Sequence, residues 1–171
     1  MNTSTTPDST PRKSVPRWLS LILFTVVWGV LPWAASLLSP RFGWQASHPG
    51  FWNLLGLIPL LVGIAGSLWT LFLHFAESRE GLDWEPDKTY LLVSGPYAFT
   101  RNPMYLFELT LLVGWVLLYG SLAVFISLWI WWAWFNFFQI PQEERTIEAR
   151  FGQVYHEYKL RVPRWIGKHG R

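Results

Sequence analysis

Three long stretches of this 171-residue chain carry almost no charge, and they constrain its fold more than any other feature. Residues 18–38 and 51–76 hold no Asp, Glu, Lys or Arg, and between Met104 and Ile140 the only such residue is Glu108. As a helix the first stretch is roughly 31 Å long, about one hydrocarbon core. The third is too long for one crossing, and Gly120-Ser121 near its middle marks a tight hairpin. The pattern predicts an all-α, polytopic membrane protein with four transmembrane helices arranged as two helical hairpins. The spans fall at about 18–38, 51–76, 104–120 and 121–140, and a C-terminal amphipathic juxtamembrane helix follows. Residues 1–17 are rich in Ser, Thr and Pro, lack aromatics, and read as a disordered tail. Residues 18–171 then form one domain. The first apolar stretch reads as a retained span rather than a cleaved signal, because it is long and no small-x-small site follows it cleanly.

Composition agrees and removes several classes of function. Charged residues make up 15% of the chain, against about 25% in an ordinary soluble domain. Thirteen tryptophans raise the aromatic share to 18%. Trp18, Trp33, Trp44 and Trp52 fall near span ends, where indoles favour the interface, while Trp129, Trp131, Trp132 and Trp134 read as lipid-facing or packing residues. With no cysteine, disulfides, thiolate metal sites and cysteine nucleophiles are excluded. Neither a Gly-x-Gly-x-x-Gly nor a Walker-type motif is present. The basic residues are not gathered with aromatics on a soluble surface, so nucleic acid is not an expected partner. His74 is the only histidine within a span, which excludes a haem held by two intramembrane histidines, and no metal site is expected. His156 reads as a surface residue. Gly63 and Gly66 are spaced too closely for a Gly-x-x-x-Gly pairing motif.

Orientation follows from the lysines and arginines. Three lie in the tail (Arg12, Lys13, Arg17), three in residues 77–103 (Arg79, Lys88, Arg101) and seven after Pro141, while residues 39–50 have Arg41 alone. With four spans, both termini and the 77–103 connection are expected on the cytoplasmic side, at the inner membrane if the source is bacterial.

Two cytoplasmic segments, 88–105 and 139–166, are too rich in polar and aromatic groups to be spacers. In the first, Gly95-Pro96 makes a turn, and Asn102-Pro103 has the form of a helix start with Asn at the N-cap and Pro at the first helical position. That pair is either only a capped start or, with Arg101, an anion site at a helix N-terminus. Glu108 shares a helix face with Met104 and Tyr105. It either reaches the interface or Arg101, or lines a polar pocket. In the second segment Glu143, Ile147, Phe151 and Tyr155 recur every four residues, and Tyr158 continues the stripe. This predicts an amphipathic helix lying on the membrane surface, with Arg145, Arg150 and Lys159 on its other faces. Glu144 reads as a helix-dipole residue, whereas Glu143 points at whatever the helix covers.

Gly95-Pro96-Tyr97-x-x-x-Arg101-Asn102-Pro103-x-Tyr105, then Glu143-Glu144, then Phe151-Gly152-x-x-Tyr155-x-x-Tyr158-x-x-x-Val162-Pro163 resembles the isoprenylcysteine carboxyl methyltransferase and phospholipid methyltransferase superfamily. The resemblance covers about residues 88–166. It implies an integral membrane methyltransferase that uses S-adenosyl-L-methionine without a Rossmann domain. Carried over by position, Tyr90, Leu91 and Leu92 would line the cofactor. Tyr97, Arg101, Asn102, Pro103 and Tyr105 would come from the loop, and Glu143 and Glu144 from the last helix. Gln139 stands near the substrate, where the family often has arginine, and Asn102 replaces the usual histidine. No dedicated base is evident; Glu143, Arg101 and Glu108 are the catalytic candidates. The implied acceptor is lipid-like or a small hydrophobic molecule, reached from the bilayer. Two other readings remain at this stage: an NADPH-dependent membrane reductase of sterol-reductase-like architecture, and a non-catalytic membrane subunit.

Overall fold

A computed structural model describes residues 17–77 and 91–167, and they are mostly helical. The expected tail, apart from the backbone of Arg17, and Tyr90 lie outside the described residues. Helix α1 (Arg17–Thr25) continues through a π-helical turn (Val26–Val30) into α2 (Leu31–Ser36). A two-stranded antiparallel ribbon (β1, Trp44–Gln45; β2, His48–Pro49) leads to α3 (Phe51–Leu54) and α4 (Leu57–Glu77). After a 3₁₀ turn (Gly95–Ala98) come α5 (Pro103–Tyr119), α6 (Leu122–Trp134), a second π turn (Phe135–Gln139) and α7 (Ile140–Arg161). The hairpin expected at Gly120-Ser121 is present: Gly120 takes a left-handed φ of 55°, and the Ser121 hydroxyl accepts from the Val124 N–H to cap α6.

Helix α5 is the centre. On one side it packs against α4, whose amphipathicity is inverted relative to a soluble helix. Gly56, Gly63, Gly66, Ser67 and Thr70 are buried, while Leu61, Val62, Leu68, Trp69 and Phe72 are exposed. Lipid is as apolar as leucine, so such a helix gains nothing by hiding large side chains and associates by close backbone approach at small ones. A Cβ at Gly56 would lie 2.5 Å from the Gly114 carbonyl oxygen, and one at Gly63 would lie 2.8 Å from that of Phe107. These glycines thus serve contact within the chain.

On its other side α5 meets the first helix and α6. Trp28, Leu60, Leu109, Leu111, Leu112, Phe135 and Ile140 form the buried core. The first apolar helix therefore does not close a hairpin on α4, as the order of spans suggests; it packs chiefly on α5 and α6. Trp28 anchors that contact, its ring tilted against Trp131 at 5.2 Å and Phe135 at 6.1 Å.

Both π turns lie just before a proline. Pro32 has no N–H for the Trp28 carbonyl four residues back, and its ring would press on that carbonyl in a regular helix. Widening the turn relieves the crowding: the Leu31 N–H reaches back to Val26 O, and Trp115 Nε1 donates to Trp28 O at 2.7 Å. Pro141 is accommodated likewise, with the Ile140 N–H on Phe135 O. As a result the break expected between the last span and the juxtamembrane helix is absent. The helix runs on from α6 through the π turn into α7, as far as Phe151 before the backbone leaves helical geometry at Gly152.

Candidate functional site

The amphipathic stripe of α7 faces the protein, in keeping with the inward position expected for Glu143. Gly152 sits within α7 at φ 50° and ψ −120°, a backbone region that suits glycine, and bends the helix there. Across the bend Lys159 Nζ donates to Glu148 Oε1 at 2.7 Å. The stripe stays continuous through the bend, so Tyr155, Tyr158 and Val162 are buried against Leu91, Ile147 and Phe151.

The 95–105 segment is held from two directions. Tyr158 Oη donates to the Tyr97 carbonyl at 2.6 Å. From the other side the stretch after α7 lies along the loop: the Arg101 N–H donates to Pro163 O at 2.9 Å, and Thr100 Oγ1 and Asn102 Nδ2 donate to Arg164 O at 2.8 and 3.1 Å. Pro103 does open α5, but the Asn102 side chain makes no capping bond, because its amide is committed to Arg164. Glu144 is more than a dipole residue. It accepts from Arg164 Nη2 at 2.6 Å and pairs with Arg101 Nη1 at 3.2 Å.

These contacts enclose a cavity of about 470 Å³, within the usual range for small-molecule sites. Leu91 and Leu92 give it an apolar wall, and Tyr97, Arg101, Asn102, Pro103, Tyr105, Gln139, Glu143 and Glu144 also line it. Tyr105 Oη and Gln139 Nε2 (2.7 Å) both donate to Glu143 Oε1, fixing that carboxylate where α5 meets the α6–α7 junction. Arg101 Nε and Nη1 are buried with no hydrogen-bond acceptor among the described residues, although Nη1 lies within ion-pair distance of Glu144. Buried guanidinium donors are normally satisfied; Nη1 has the Glu144 carboxylate as its ion-pair partner, which leaves Nε as the open donor. Beyond the span, burial pushes the Tyr155 phenol up to about 12, with the Glu144 charge adding to the effect and Arg101 opposing it. Burial raises Tyr158 as well, helped by Tyr155. Both phenols are therefore neutral at physiological pH, and Tyr158 donates to the Tyr97 carbonyl.

Ten of the residues expected from sequence thus meet at one cavity. Glu108 does not. It is 5% exposed and is not among the cavity-lining residues, although it lies near enough to Glu143 to interact with it, and the ion pair of Arg101 is with Glu144. Sequence reasoning missed His74, Gln142, Thr146 and Arg150 as wall residues. The last three sit on α7 within a turn of Glu143 or the Ile147–Phe151 stripe, and that spacing could have found them. His74 could not be placed, because only the fold brings the end of α4 to Tyr97, whose Oη lies 2.8 Å from His74 Nε2. His156 is exposed, as expected.

The apolar helices and their family likeness define a membrane methyltransferase. The family described as phospholipid methyltransferase matches residues 54–154, more than half of the chain. The chain belongs to this family, within the isoprenylcysteine and phospholipid methyltransferase superfamily of integral membrane proteins. It is also similar to an uncharacterized protein of Haemophilus influenzae, with 38% identity over 63 residues that cover 37% of this chain and 100% of that protein. No solved structure matches it.

Proposed function

We propose that the cavity binds S-adenosyl-L-methionine and that the protein transfers its methyl group to a lipid-like or small hydrophobic acceptor at the cytoplasmic membrane face. The observation that carries this reading is the junction of Tyr105, Gln139 and Glu143 beside an apolar wall and a buried arginine whose Nε has no acceptor among the described residues. The bound cofactor supplies an electrophilic methyl on a sulfonium. Glu143 and the aromatic rings offer negative charge and π faces to a cation. Arg101 offers Nε to a carboxylate, and Leu91 and Leu92 cover an apolar surface while keeping water out. Methyl transfer is an in-line displacement, so the main task of these groups is to hold the reacting atoms near attack distance, about 3–3.5 Å. Gln139 belongs to this reading through its hold on Glu143 and its place on the acceptor side.

The same reading includes four crossings. Phe51–His74 and the apolar part of 122–161 are long enough by length and composition, while Ile22–Ser36 and Pro103–Tyr119 are shorter. The 17 residues of α5 make about 26 Å of helix, at the low end of a spanning length. Thirteen basic residues on one side against Arg41 on the other put both termini in the cytoplasm.

Thermal unfolding of the detergent-purified protein with S-adenosylhomocysteine, and separately with NADPH, tests the proposal. Binding stabilises the folded state by about 2.7 kcal/mol at a hundred times the dissociation constant. The expected result is a shift with S-adenosylhomocysteine that is lost in Glu143→Ala. A shift with NADPH alone assigns a reductase, and no shift with either overturns the proposal in favour of a non-catalytic subunit.

A further inference from the structure

Helix α5 carries the cavity at its first turn and a second built feature at its last. There the Arg41 guanidinium lies over the rings of Trp44 and Tyr119, 4.5 and 5.0 Å from their centroids, and Nη2 donates to the fully buried Ser36 Oγ at 2.7 Å. The loop that carries it is fastened at several points. The Phe42 N–H donates to Gly120 O and Trp44 Nε1 to Leu118 O, both at 3.0 Å; Asn53 Nδ2 donates to Phe42 O at 3.1 Å, and Ser39 Oγ meets Ser121 Oγ at 2.8 Å.

A guanidinium held in this way ordinarily faces a carboxylate, and here none is within reach. Arg41 has no ion pair among the described residues. Residues 18–76 contain no Asp or Glu, and Glu108 lies roughly 16 Å back along α5 from Tyr119. Of the five guanidinium N–H donors, the Ser36 oxygen takes one. Around this unanswered charge the chain exposes apolar groups, with Leu37, Leu38 and Phe42 all open and Leu38 at 81%.

We propose that Arg41, seated on Trp44 and Tyr119, is a site for the phosphodiester of an anionic glycerophospholipid in the leaflet opposite the cavity. The leaflet rests on the four-crossing reading above. A phosphodiester carries one negative charge, matching the single cation, and presents two oxygens to the planar guanidinium edge. The acyl chains beside it cover Leu38 and Phe42, which a free phosphate leaves in water. A zwitterionic headgroup adds a cation, but this end of the chain has no carboxylate for it, and the two rings that would receive it already face Arg41. A glycerol headgroup brings no such cation. The bound lipid is a structural ligand, separate from any methyl acceptor.

Native mass spectrometry of the full-length protein in non-ionic detergent, titrated with phosphatidylglycerol, phosphatidylcholine and inorganic phosphate, tests the site in the parent, Arg41→Gln and Arg41→Lys. The chain has no cysteine. Single Ser47→Cys and Ala149→Cys variants, both at exposed positions, therefore report sidedness through a membrane-impermeant maleimide in intact cells and inverted vesicles. The expected result is one phosphatidylglycerol per chain, preferred over phosphatidylcholine and not displaced by millimolar phosphate. A hydrogen-bonded charge pair implies that its affinity falls at least about 10-fold in Arg41→Gln. Arg41→Lys keeps the charge but loses the planar edge, and binds between the two. S-adenosylhomocysteine binding is unchanged in both variants, and the two cysteines label from opposite faces. Equal phosphatidylglycerol affinity in the parent and either variant, no preference between the lipids, or displacement by inorganic phosphate overturns the lipid site and leaves the crossings intact. Labelling of both cysteines from one face overturns the four-crossing reading and the leaflet with it.

Discussion

Tyr105 on α5 donates through its hydroxyl to Glu143, 38 residues away at the start of α7. Gln139 donates to the same carboxylate oxygen, so Glu143 Oε1 receives two donors from two elements. A hydrogen bond to a charged group contributes about 1.5–3 kcal/mol. Tyr105→Phe is therefore expected to lower stability by about that amount, read by thermal unfolding in detergent. Because Gln139 still holds the carboxylate, Gln139→Ala combined with Tyr105→Phe should lower S-adenosylhomocysteine affinity more than the two single changes together. Strict additivity would show that the two donors do not act on one group.

The indole of Trp115 serves the Trp28 carbonyl that Pro32 cannot serve. Trp115→Phe keeps an aromatic ring in place but leaves a buried carbonyl unpaired, which costs about 1–3 kcal/mol. In a Pro32→Ala background the backbone regains the missing N–H, and the cost of Trp115→Phe should shrink. An equal cost in the two backgrounds would mean that the indole contributes only by packing.

Contact between α4 and α5 depends on the absence of side chains at particular places. A methyl group at Gly56 would meet the Gly114 carbonyl at 2.5 Å and the Leu118 N–H nitrogen at 2.6 Å, and backbone atoms cannot turn aside as a side-chain tip can. Gly56→Ala should cost about 1–3 kcal/mol by overpacking. Gly152→Ala should also destabilise, but there a Cβ meets nothing within 4 Å, so the cause is backbone strain at φ 50°. Chemical denaturation of the two variants checks both, and a Gly56→Ala protein as stable as the parent would refute the close approach.

Raised phenol pKa values make a definite statement about alkaline stability. Tyr155 holds its proton in the folded state up to about 12, against about 10 when unfolded. The unfolded chain loses this proton first, so the contribution is complete below about pH 10 and is lost as pH rises from there through 12. Stability should fall across that interval, and the fall should be shallower in Tyr155→Phe. An identical slope in the two proteins would show that the Tyr155 phenol is not buried as described.

Much of the site was legible in the sequence because its residues lie in two short runs whose spacing is itself structural. Arg101, Asn102, Pro103 and Tyr105 come together in any chain that starts a helix at Pro103, and Glu143, Ile147, Phe151, Tyr155 and Tyr158 share a face in any helix of that period. What could not be read was the choice among partners. Asn102 has the sequence position of an N-cap, yet its amide turns to Arg164 because the chain after α7 lies beside it. Glu108 shares a face with Tyr105 in the sequence pattern and still is not among the residues lining the cavity. His74 stands in an apolar run with nothing around it in sequence to suggest a partner.

The uncharged stretches, the hairpin at Gly120-Ser121 and the repeat along α7 determined that this chain would be helical, rich in apolar helices and furnished with a polar site near their ends. Those features depend on local composition and on period, both of which are written along the chain. Tertiary structure alone decided that the first helix packs on α5 and α6, that two prolines are absorbed by π turns instead of ending helices, and that α7 folds inward at Gly152. In a helix apolar on every face, hydrophobicity does not say which side meets a neighbour. That is settled by the fit of small residues against backbone and by the few indoles and amides that find a carbonyl.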